Sequence, residues 1–563
     1  MKKLLTTAFL LIIISFGCFA NSSLEKSGEF PCLIVNGNPI LILGGELGNS
    51  AATSADDISS VLNKVKEMNL NTVLIPAYWD LMEPEEGVFD FSLTDSVINH
   101  AERNDLNVVF LWFGAWKNSM SCYAPEWVKK DTRRFPRART KEGKPLEILS
   151  AFSPEVAKVD LNAFENWYNH ILEYDKNGTV IMIQVENEIG MLEDARDHSD
   201  IAKVEYEKGV PEELITYILK NQDSLHPFLL KKWSTNGKKT TGSWKEVFGD
   251  DIFTDEIFMA WNYARYVEAL ASAGKKLASK PLYLNAALNS RGRLPGEYPS
   301  AGPLAHLKDI WHAGAPSIDF LSPDIYDTGF EDWVNQYALA DNFLFVPEVR
   351  RDLSNPAQAY YIIGHHKALG ISPFSIENGD ENYANSMAQA YSVINDLSPF
   401  FFNAQYKVID GVILNKDKKE TVLKDDSVKI TLSHFFTLPW DPRAADKNNW
   451  NDAGAVLIKL GPDEYILAGN GVVAKFEDEK EISYNTNLGE DGFLNEGNDR
   501  SINKISHNSH RIGLAKVEEV KILPDGNLKR IRTLNGDETH QGRHARIGVD
   551  DHKILHIKTY RYQ

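Results

Sequence analysis

The chain has 563 residues, of which 43% are hydrophobic and 25% charged, and its formal net charge is −19. This length exceeds what one hydrophobic core supports, so we expect a large domain and at least one further domain. The ordinary composition excludes a disordered chain, the three cysteines exclude a disulfide scaffold, and the acidic surface predicts no nucleic-acid partner because it repels phosphate.

Residues 1–20 have the pattern of a secretory signal peptide. Lys2 and Lys3 precede the apolar run 4–16, and the small residues Gly17, Cys18 and Ala20 follow. Cleavage after Ala20 would release the protein, whereas lipidation of Cys18 would attach it to a membrane, and both alternatives stay open. The sequence predicts export, either to the periplasm or outer membrane of a Gram-negative bacterium or by secretion.

Eight short apolar runs alternate with helical patterns between residues 39 and 377, which is typical of repeated βα units. Several runs are continuously apolar, as strands buried on both faces should be. We therefore predict an α/β fold, a (β/α)8 TIM barrel over residues 25–398, with insertions after its third and fourth strands. The predicted strands are 40–46, 72–78, 107–113, 179–186, 281–285, 318–325, 343–347 and 371–376.

The pattern changes to strands separated by turn residues from residue 399 to 563. We predict an all-β, sandwich-like C-terminal domain packed on the barrel, either bracing it or binding sugar. Its predicted strands are 406–414, 428–432, 455–460, 465–468, 511–522 and 553–562.

Two barrel strands end in glutamate. The sequence 184–188, Gln-Val-Glu-Asn-Glu, ends the fourth strand, and the seventh ends at Pro347-Glu348. Because barrel enzymes place their chemistry at the carboxyl ends of strands, Glu188 and Glu348 are a candidate catalytic pair. Retaining glycosidases need two carboxyls about 5 to 5.5 Å apart. The structural alternatives are a helix cap for Glu188 and an ion pair with Arg350 or Arg351 for Glu348.

These motifs resemble glycoside hydrolase family 35, the β-galactosidases of clan A. A third matching element is the segment 78–91, which begins Tyr-Trp-Asp-Leu-Met-Glu-Pro. The resemblance implies a retaining, exo-acting β-galactosidase that acts on oligo- or polysaccharides without a metal or cofactor. It implies that Glu188 is the acid/base, Glu348 the nucleophile, Asn187 a ligand of the sugar 2-hydroxyl, and Tyr326 a residue that orients the nucleophile.

The chain departs from the family after its first and third strands. Glu46, Trp116, Lys117 and Asn118 stand where the family has other sugar-reading residues, so we expect them to bind substrate together with Tyr78. Trp116 is predicted to be a platform under the sugar ring. Galactose specificity is less firmly implied than hydrolysis, which leaves two alternatives. One is a clan A glycosidase acting on glucosyl or arabinosyl linkages, and the other is a glycan-binding surface protein without catalysis.

Overall fold

Eight parallel strands close into a barrel in the computed structural model, which describes residues 22–27, 30–289, 292–438, 440–446, 450–481, 510–549 and 551–563. Helices surround the barrel, and two antiparallel sheets follow it, so the predicted fold class is confirmed. The predicted signal peptide lies outside the described residues. Of the described helices, none is both long and apolar enough to cross a bilayer.

The strands are β1 (Ser22–Ser27), β2 (Phe30–Val35), β3 (Asn38–Ile40), β4 (Ile42–Glu46), β5 (Thr72–Tyr78), β6 (Asn107–Phe113), β7 (Arg137–Arg139), β8 (Pro145–Leu149), β9 (Val180–Gln184), β10 (Leu282–Ala287), β11 (Phe320–Ile325), β12 (Val346–Val349), β13 (Gly370–Pro373), β14 (Lys407–Leu414), β15 (Glu420–Asp425), β16 (Val428–His434), β17 (Ala453–Gly461), β18 (Glu464–Asn470), β19 (Val472–Asp478), β20 (Arg511–Ile522), β21 (Leu528–Leu534), β22 (Ala545–Ile547) and β23 (Lys553–Tyr562).

The α-helices are α1 (Ala55–Lys66), α2 (Trp79–Met82), α3 (Ser92–Arg103), α4 (Glu126–Lys130), α5 (Pro154–Tyr174), α6 (Asp200–Glu207), α7 (Glu212–Lys220), α8 (Pro227–Thr235), α9 (Trp244–Phe248), α10 (Ile252–Leu277), α11 (Lys308–Gly314), α12 (Phe330–Tyr337), α13 (Asn355–Gly364) and α14 (Glu381–Phe401).

The barrel strands run in the order β4, β5, β6, β9, β10, β11, β12, β13, and β13 pairs with β4 to close the ring. All seven residues of β5 are buried, which explains why its sequence is apolar without alternation. All neighbouring pairs are parallel, so the carboxyl ends of the eight strands meet at one mouth. The β7–β8 hairpin follows β6, and helices α6 to α9 follow β9, as the predicted insertions require.

The C-terminal region contains a six-stranded sheet, β14-β17-β18-β23-β20-β21, and a four-stranded sheet, β15-β16-β19-β22. Alternate residues of β14 belong to two different hydrophobic cores. Val412 and Leu414 pack between the two sheets, whereas Ile413 joins the barrel core. At β14 the six-stranded sheet is therefore buried on both faces, and the C-terminal domain packs on the barrel as predicted.

Helix α13 lies between the barrel and the six-stranded sheet, and all ten of its residues are buried. The helix approaches β14 closely at Gly411, where a Cβ would lie 2.8 Å from the Cα of Gly364. A larger residue at Gly411 would separate the two domains. The contact fixes the C-terminal domain beside the barrel mouth, since α13 follows directly on the loop after β12.

Candidate active site

Four acidic side chains converge at the barrel mouth. Glu46 ends β4, Glu188 follows β9, Asp324 lies in β11 and Glu348 in β12. Carboxylate oxygens of Glu188, Asp324 and Glu348 all lie within 4.8 Å of one another. The structure therefore brings the two predicted catalytic glutamates together across the ring, at a spacing that suits direct attack on a sugar carbon rather than activation of a water between them.

Glu348 is held by Tyr326. The Tyr326 hydroxyl donates a hydrogen bond to Oε1 of Glu348, as the family resemblance implies. No donor among the described residues reaches the other oxygen, Oε2, although the side chain is only 3% exposed. A buried carboxylate oxygen without a donor is a candidate for the attacking atom, because nothing has to be displaced before it bonds to carbon.

Glu188 has the environment of a general acid. Its side chain is 5% exposed, and the Asn118 amide donates a hydrogen bond to it. Burial, and next the negative charge of Glu348, raise the pKa of Glu188 to about 7, while Lys117 acts in the opposite direction. A carboxyl with this pKa is about half protonated at neutral pH, so it can give a proton to a leaving group.

The turn that carries Glu188 has an unusual backbone. Glu186 and Glu188 adopt left-handed conformations, with φ of 59° and 44°. Such conformations cost non-glycine residues about 1 to 3 kcal/mol each and persist where the surroundings enforce them. Here the loop after β6 does so, since the backbone N–H groups of Ala115 and Trp116 donate to the Glu186 carboxylate and that of Ser119 donates to the Glu188 carbonyl.

Glu186 is buried next to a second carboxyl, Asp160 from α5. Burial, and next the charge of Asp160, raise the pKa of Glu186 well above its usual range. Asp160 accepts hydrogen bonds from Trp112 Nε1 (3.0 Å) and the Tyr266 hydroxyl (2.7 Å). Gly114 leaves the space that these two carboxyl groups occupy, because a Cβ there would lie 2.8 Å from both of them. The contacts of Glu186 and Asp160 hold the turn that carries Glu188 in position, although these two carboxyl groups do not themselves face the mouth.

Asn187 and Lys117 form a polar pair beside the glutamates. The Lys117 ammonium donates to the Asn187 Oδ1 (2.8 Å), and both side chains are buried. This bond fixes the orientation of the Asn187 amide. No acceptor among the described residues takes up its Nδ2, which leaves that group able to donate to a sugar hydroxyl. Asn118, by contrast, is occupied with Glu188.

Glu46 lies in the same cluster, fully buried. Burial, and next the charge of Glu348, raise the pKa of Glu46 well above its usual range. No donor of the described residues reaches either of its carboxyl oxygens. Both Glu46 oxygens are therefore left able to accept a hydrogen bond from a sugar hydroxyl.

Two predicted substrate-binding residues are placed away from the carboxyl cluster, so the structure corrects these predictions. The Trp116 ring is fully buried and makes T-shaped contacts with the rings of Tyr263 and Tyr266. It has no open face for a sugar. The Tyr78 hydroxyl receives the Ala52 N–H and its ring packs on Phe113. In both cases the side chain points into the packing around the strands instead of into the mouth.

Sequence reasoning missed two residues of the site. The Asn285 amide donates to Asp324 (2.6 Å), and its oxygen accepts the backbone N–H of Glu188 (2.9 Å). Asn285 thus joins the acid/base turn to the carboxyl between the two glutamates. Both residues lie at strand ends, so the rule that identified Glu188 and Glu348 could have found them as well.

The barrel and its facing glutamates have the arrangement of a retaining glycoside hydrolase site. Comparisons with known proteins also show a likeness to glycoside hydrolases. Residues 32–242 match the model of "Glycosyl hydrolases family 35", and residues 387–546 match a "Domain of unknown function (DUF5597)". Residues 32–242 of the barrel therefore resemble family 35 glycoside hydrolases, and the resemblance found in the sequence is confirmed.

Individual relatives are distant. The chain is 27% identical over 203 residues to "Beta-galactosidase-1-like protein 3" of Homo sapiens, covering 33% of this chain and 27% of that protein. It is 29% identical over 153 residues to "Beta-galactosidase" of Xanthomonas manihotis, covering 25% and 22%. The chain thus matches about a quarter of the length of these curated relatives. A solved β-galactosidase from the haloarchaeon Halorubrum lacusprofundi superposes with a TM-score of 0.43 at 14% identity, covering 63% of this chain and 58% of that one.

Proposed function

We propose that the protein is a retaining, exo-acting β-galactosidase that removes terminal β-galactosyl residues from an exported or extracellular glycan. The observation that carries this proposal is the approach of the Glu188 and Glu348 carboxylates to within 4.8 Å. The names of the relatives support galactose as the sugar. The N-terminal pattern supports export, either as a lipoprotein anchored at Cys18 or as a cleaved protein.

In the first half of the reaction, Oε2 of Glu348 attacks the anomeric carbon while Glu188 gives its proton to the departing oxygen. The bond from carbon to the leaving oxygen breaks as the bond to Glu348 forms. Positive charge that develops on the sugar ring is stabilised by the surrounding carboxylates. Asn187 donates to the 2-hydroxyl, an interaction that strengthens as this charge develops.

In the second half, Glu188 removes a proton from an incoming water, which displaces Glu348 from the anomeric carbon. Once Glu348 is bonded to sugar it no longer carries a charge, so the repulsion that raised the pKa of Glu188 disappears. Glu188 therefore changes from acid to base without a change of position. The Tyr326 hydroxyl keeps its hydrogen bond to Oε1 of Glu348 in both steps.

Exo action is supported by the depth of the site. Both glutamates are almost completely buried at the floor of the mouth, and helices α6 to α9 follow the acid/base turn on the rim. A terminal sugar can enter such a pocket, whereas a continuous glycan chain would have to pass through the wall. The remainder of the substrate must then lie outside the pocket.

The test is hydrolysis of chromogenic galactosides, glucosides and arabinosides, followed by a panel of galactose-terminated oligosaccharides with the product anomer monitored by NMR. We expect galactosides to be preferred and the β-anomer to appear first. Preference for another glycoside, or release of the α-anomer, would contradict the proposal.

Two variants assign the roles. Glu348→Gln should abolish turnover of every substrate. Glu188→Ala should lower the rate on natural glycosides by about 10² to 10⁴-fold but spare substrates with good leaving groups. Glu420→Gln, an exposed glutamate of β15, is the matched control and should behave as wild type. Equal losses on both substrate types in Glu188→Ala would contradict its role as acid.

A further inference from the structure

A cleft of about 770 Å³ opens next to the catalytic pocket, between the barrel and the C-terminal domain. On the barrel side it is lined by Tyr326, Asp327, Arg350 and Asp352, from the loops after β11 and β12. On the other side it is lined by Asn415, after β14, and Asp452, before β17. Its volume is in the range of cavities that hold small organic ligands.

The cleft shares Tyr326 with the catalytic site. This residue lines the cleft while its hydroxyl donates to Glu348. Arg350, two residues after the nucleophile, binds the Tyr326 carbonyl through Nε (2.9 Å) and a terminal nitrogen (2.6 Å). A molecule in the cleft would therefore lie against the residues that hold the nucleophile.

Both walls of the cleft are fixed in place. Lys418 of the C-terminal domain forms an ion pair with Glu331 of α12 (2.6 Å). The side chains of Ser354 and Asn415, one from each domain, lie beside Asp452 and lower the pKa of its carboxyl against the effect of burial. Asn415 also accepts the backbone N–H groups of its own turn, at 3.0 Å and 2.9 Å. Because these contacts join the two domains across the base of the cleft, it exists without ligand.

The charged residues of the lining are acidic except for Arg350. Asp327, Asp352 and Asp452 face the cleft together with Arg350, and Glu331 and Asp332 lie on the same wall. Carboxylates are good acceptors for sugar hydroxyl groups. They also repel other anions, and a cavity with walls of low dielectric constant strengthens that repulsion.

We propose that this cleft binds the sugar units that follow the terminal galactose, and that it selects neutral glycans over anionic ones. The proposal rests on the proposed exo-galactosidase function, because an exo enzyme keeps only one sugar in its pocket and leaves the others on the rim. The C-terminal domain then supplies one wall of the substrate site in addition to bracing the barrel.

The experiment uses full-length protein and a matched pair of substrates. One is the neutral β-linked galactotriose of the linkage that the wild type prefers, and the other is the same compound oxidised at its reducing end to the aldonate. We expect kcat/KM for the neutral form to exceed that for the aldonate by at least about tenfold at low salt, and the ratio to fall as salt is added. Equal values at low salt would overturn the proposal.

Two variants test the two walls. Asp327→Lys reverses a charge on the barrel side, and Asp452→Asn removes one on the C-terminal side while keeping the shape of the side chain. Each should reduce the neutral-to-aldonate ratio severalfold. Glu67→Lys, at the end of α1 and on the side of the barrel opposite the mouth, is the charge-matched control and should leave the ratio unchanged. A ratio unaffected by Asp452→Asn would overturn the participation of the C-terminal domain.

Failure of the proposed function is recognised separately. If the wild type hydrolyses no galactoside, the activity is wrong, and the cleft is then tested by calorimetry with Glu348→Gln, β-1,4-linked galactotriose and the aldonate of that trisaccharide. Tighter binding of the neutral compound, weakened by Asp327→Lys, supports the cleft as a glycan site. Absence of binding by either compound overturns it.

Discussion

Replacing Glu348 by glutamine should lower the pKa of Glu188. In the wild type that pKa is about 7, compared with an ordinary value of 4.5. Burial is the larger cause and persists in the variant, while the charge of Glu348 is the second cause and is lost. Two unit charges 4.8 Å apart repel by about 3 kcal/mol at an effective dielectric constant of about 20. Lys117 is present in both proteins and does not alter this difference. Because burial is the larger cause of the total rise, the expected fall is smaller than this repulsion alone would give, about one to two pKa units.

The variant has no nucleophile, so its pKa must be measured without turnover. Carbon NMR of protein labelled at glutamate carboxyls would follow the titration, with Glu188→Gln used to assign the signal. In the wild type the same pKa should set the alkaline limb of the pH profile of kcat/KM, since activity requires protonated Glu188 and declines as the pH rises through about 7. A Glu188 signal that titrates at the same pH with and without Glu348 would refute the electrostatic coupling of the pair.

Three further perturbations follow from the geometry. Tyr326→Phe removes the donor to Glu348 and should lower kcat by about 10- to 100-fold with little change in the melting temperature, because one charge-assisted hydrogen bond is lost. Gly114→Ala places a Cβ 2.8 Å from two buried carboxylates, so denaturant unfolding should show a loss of about 1 to 3 kcal/mol. Treatment with EDTA should leave the rate unchanged, and inactivation that Mg²⁺ or Ca²⁺ reverses would instead make Glu188, Asp324 and Glu348 a cation site.

The barrel was predictable because its strands leave a strong signal. The strands β5 and β6 are continuous apolar runs, and their predicted bounds coincide with those in the structure. The strand β21 was missed because it is an exposed sheet edge with Lys529, Arg530 and Arg532 in place of an apolar pattern. The strand β19 was also missed: the predicted strand 465–468 lies within β18, and only Gly471 separates β18 from β19.

The catalytic pair was predictable for a related reason. A glutamate at the end of an apolar strand interrupts the apolar pattern. A closed parallel barrel places the carboxyl ends of all its strands, and the polar residues there, at one mouth. The direction of a side chain after the strand ends is not encoded in that pattern. Trp116 and Tyr78 therefore gave wrong predictions, because tertiary packing turned both rings away from the mouth.

The carboxyl groups at the mouth have a consequence for inhibition. Among the described residues, Lys117 is the cation that lowers the pKa of Glu46 and Glu188, so a pocket with four carboxyl groups is poor in compensating positive charge. A ring in which nitrogen replaces the anomeric carbon or the ring oxygen becomes a cation on protonation and would supply that charge. Such a galactose-shaped amine should therefore bind far more tightly than galactose itself, with the ligand arriving charged or taking its proton from Glu188.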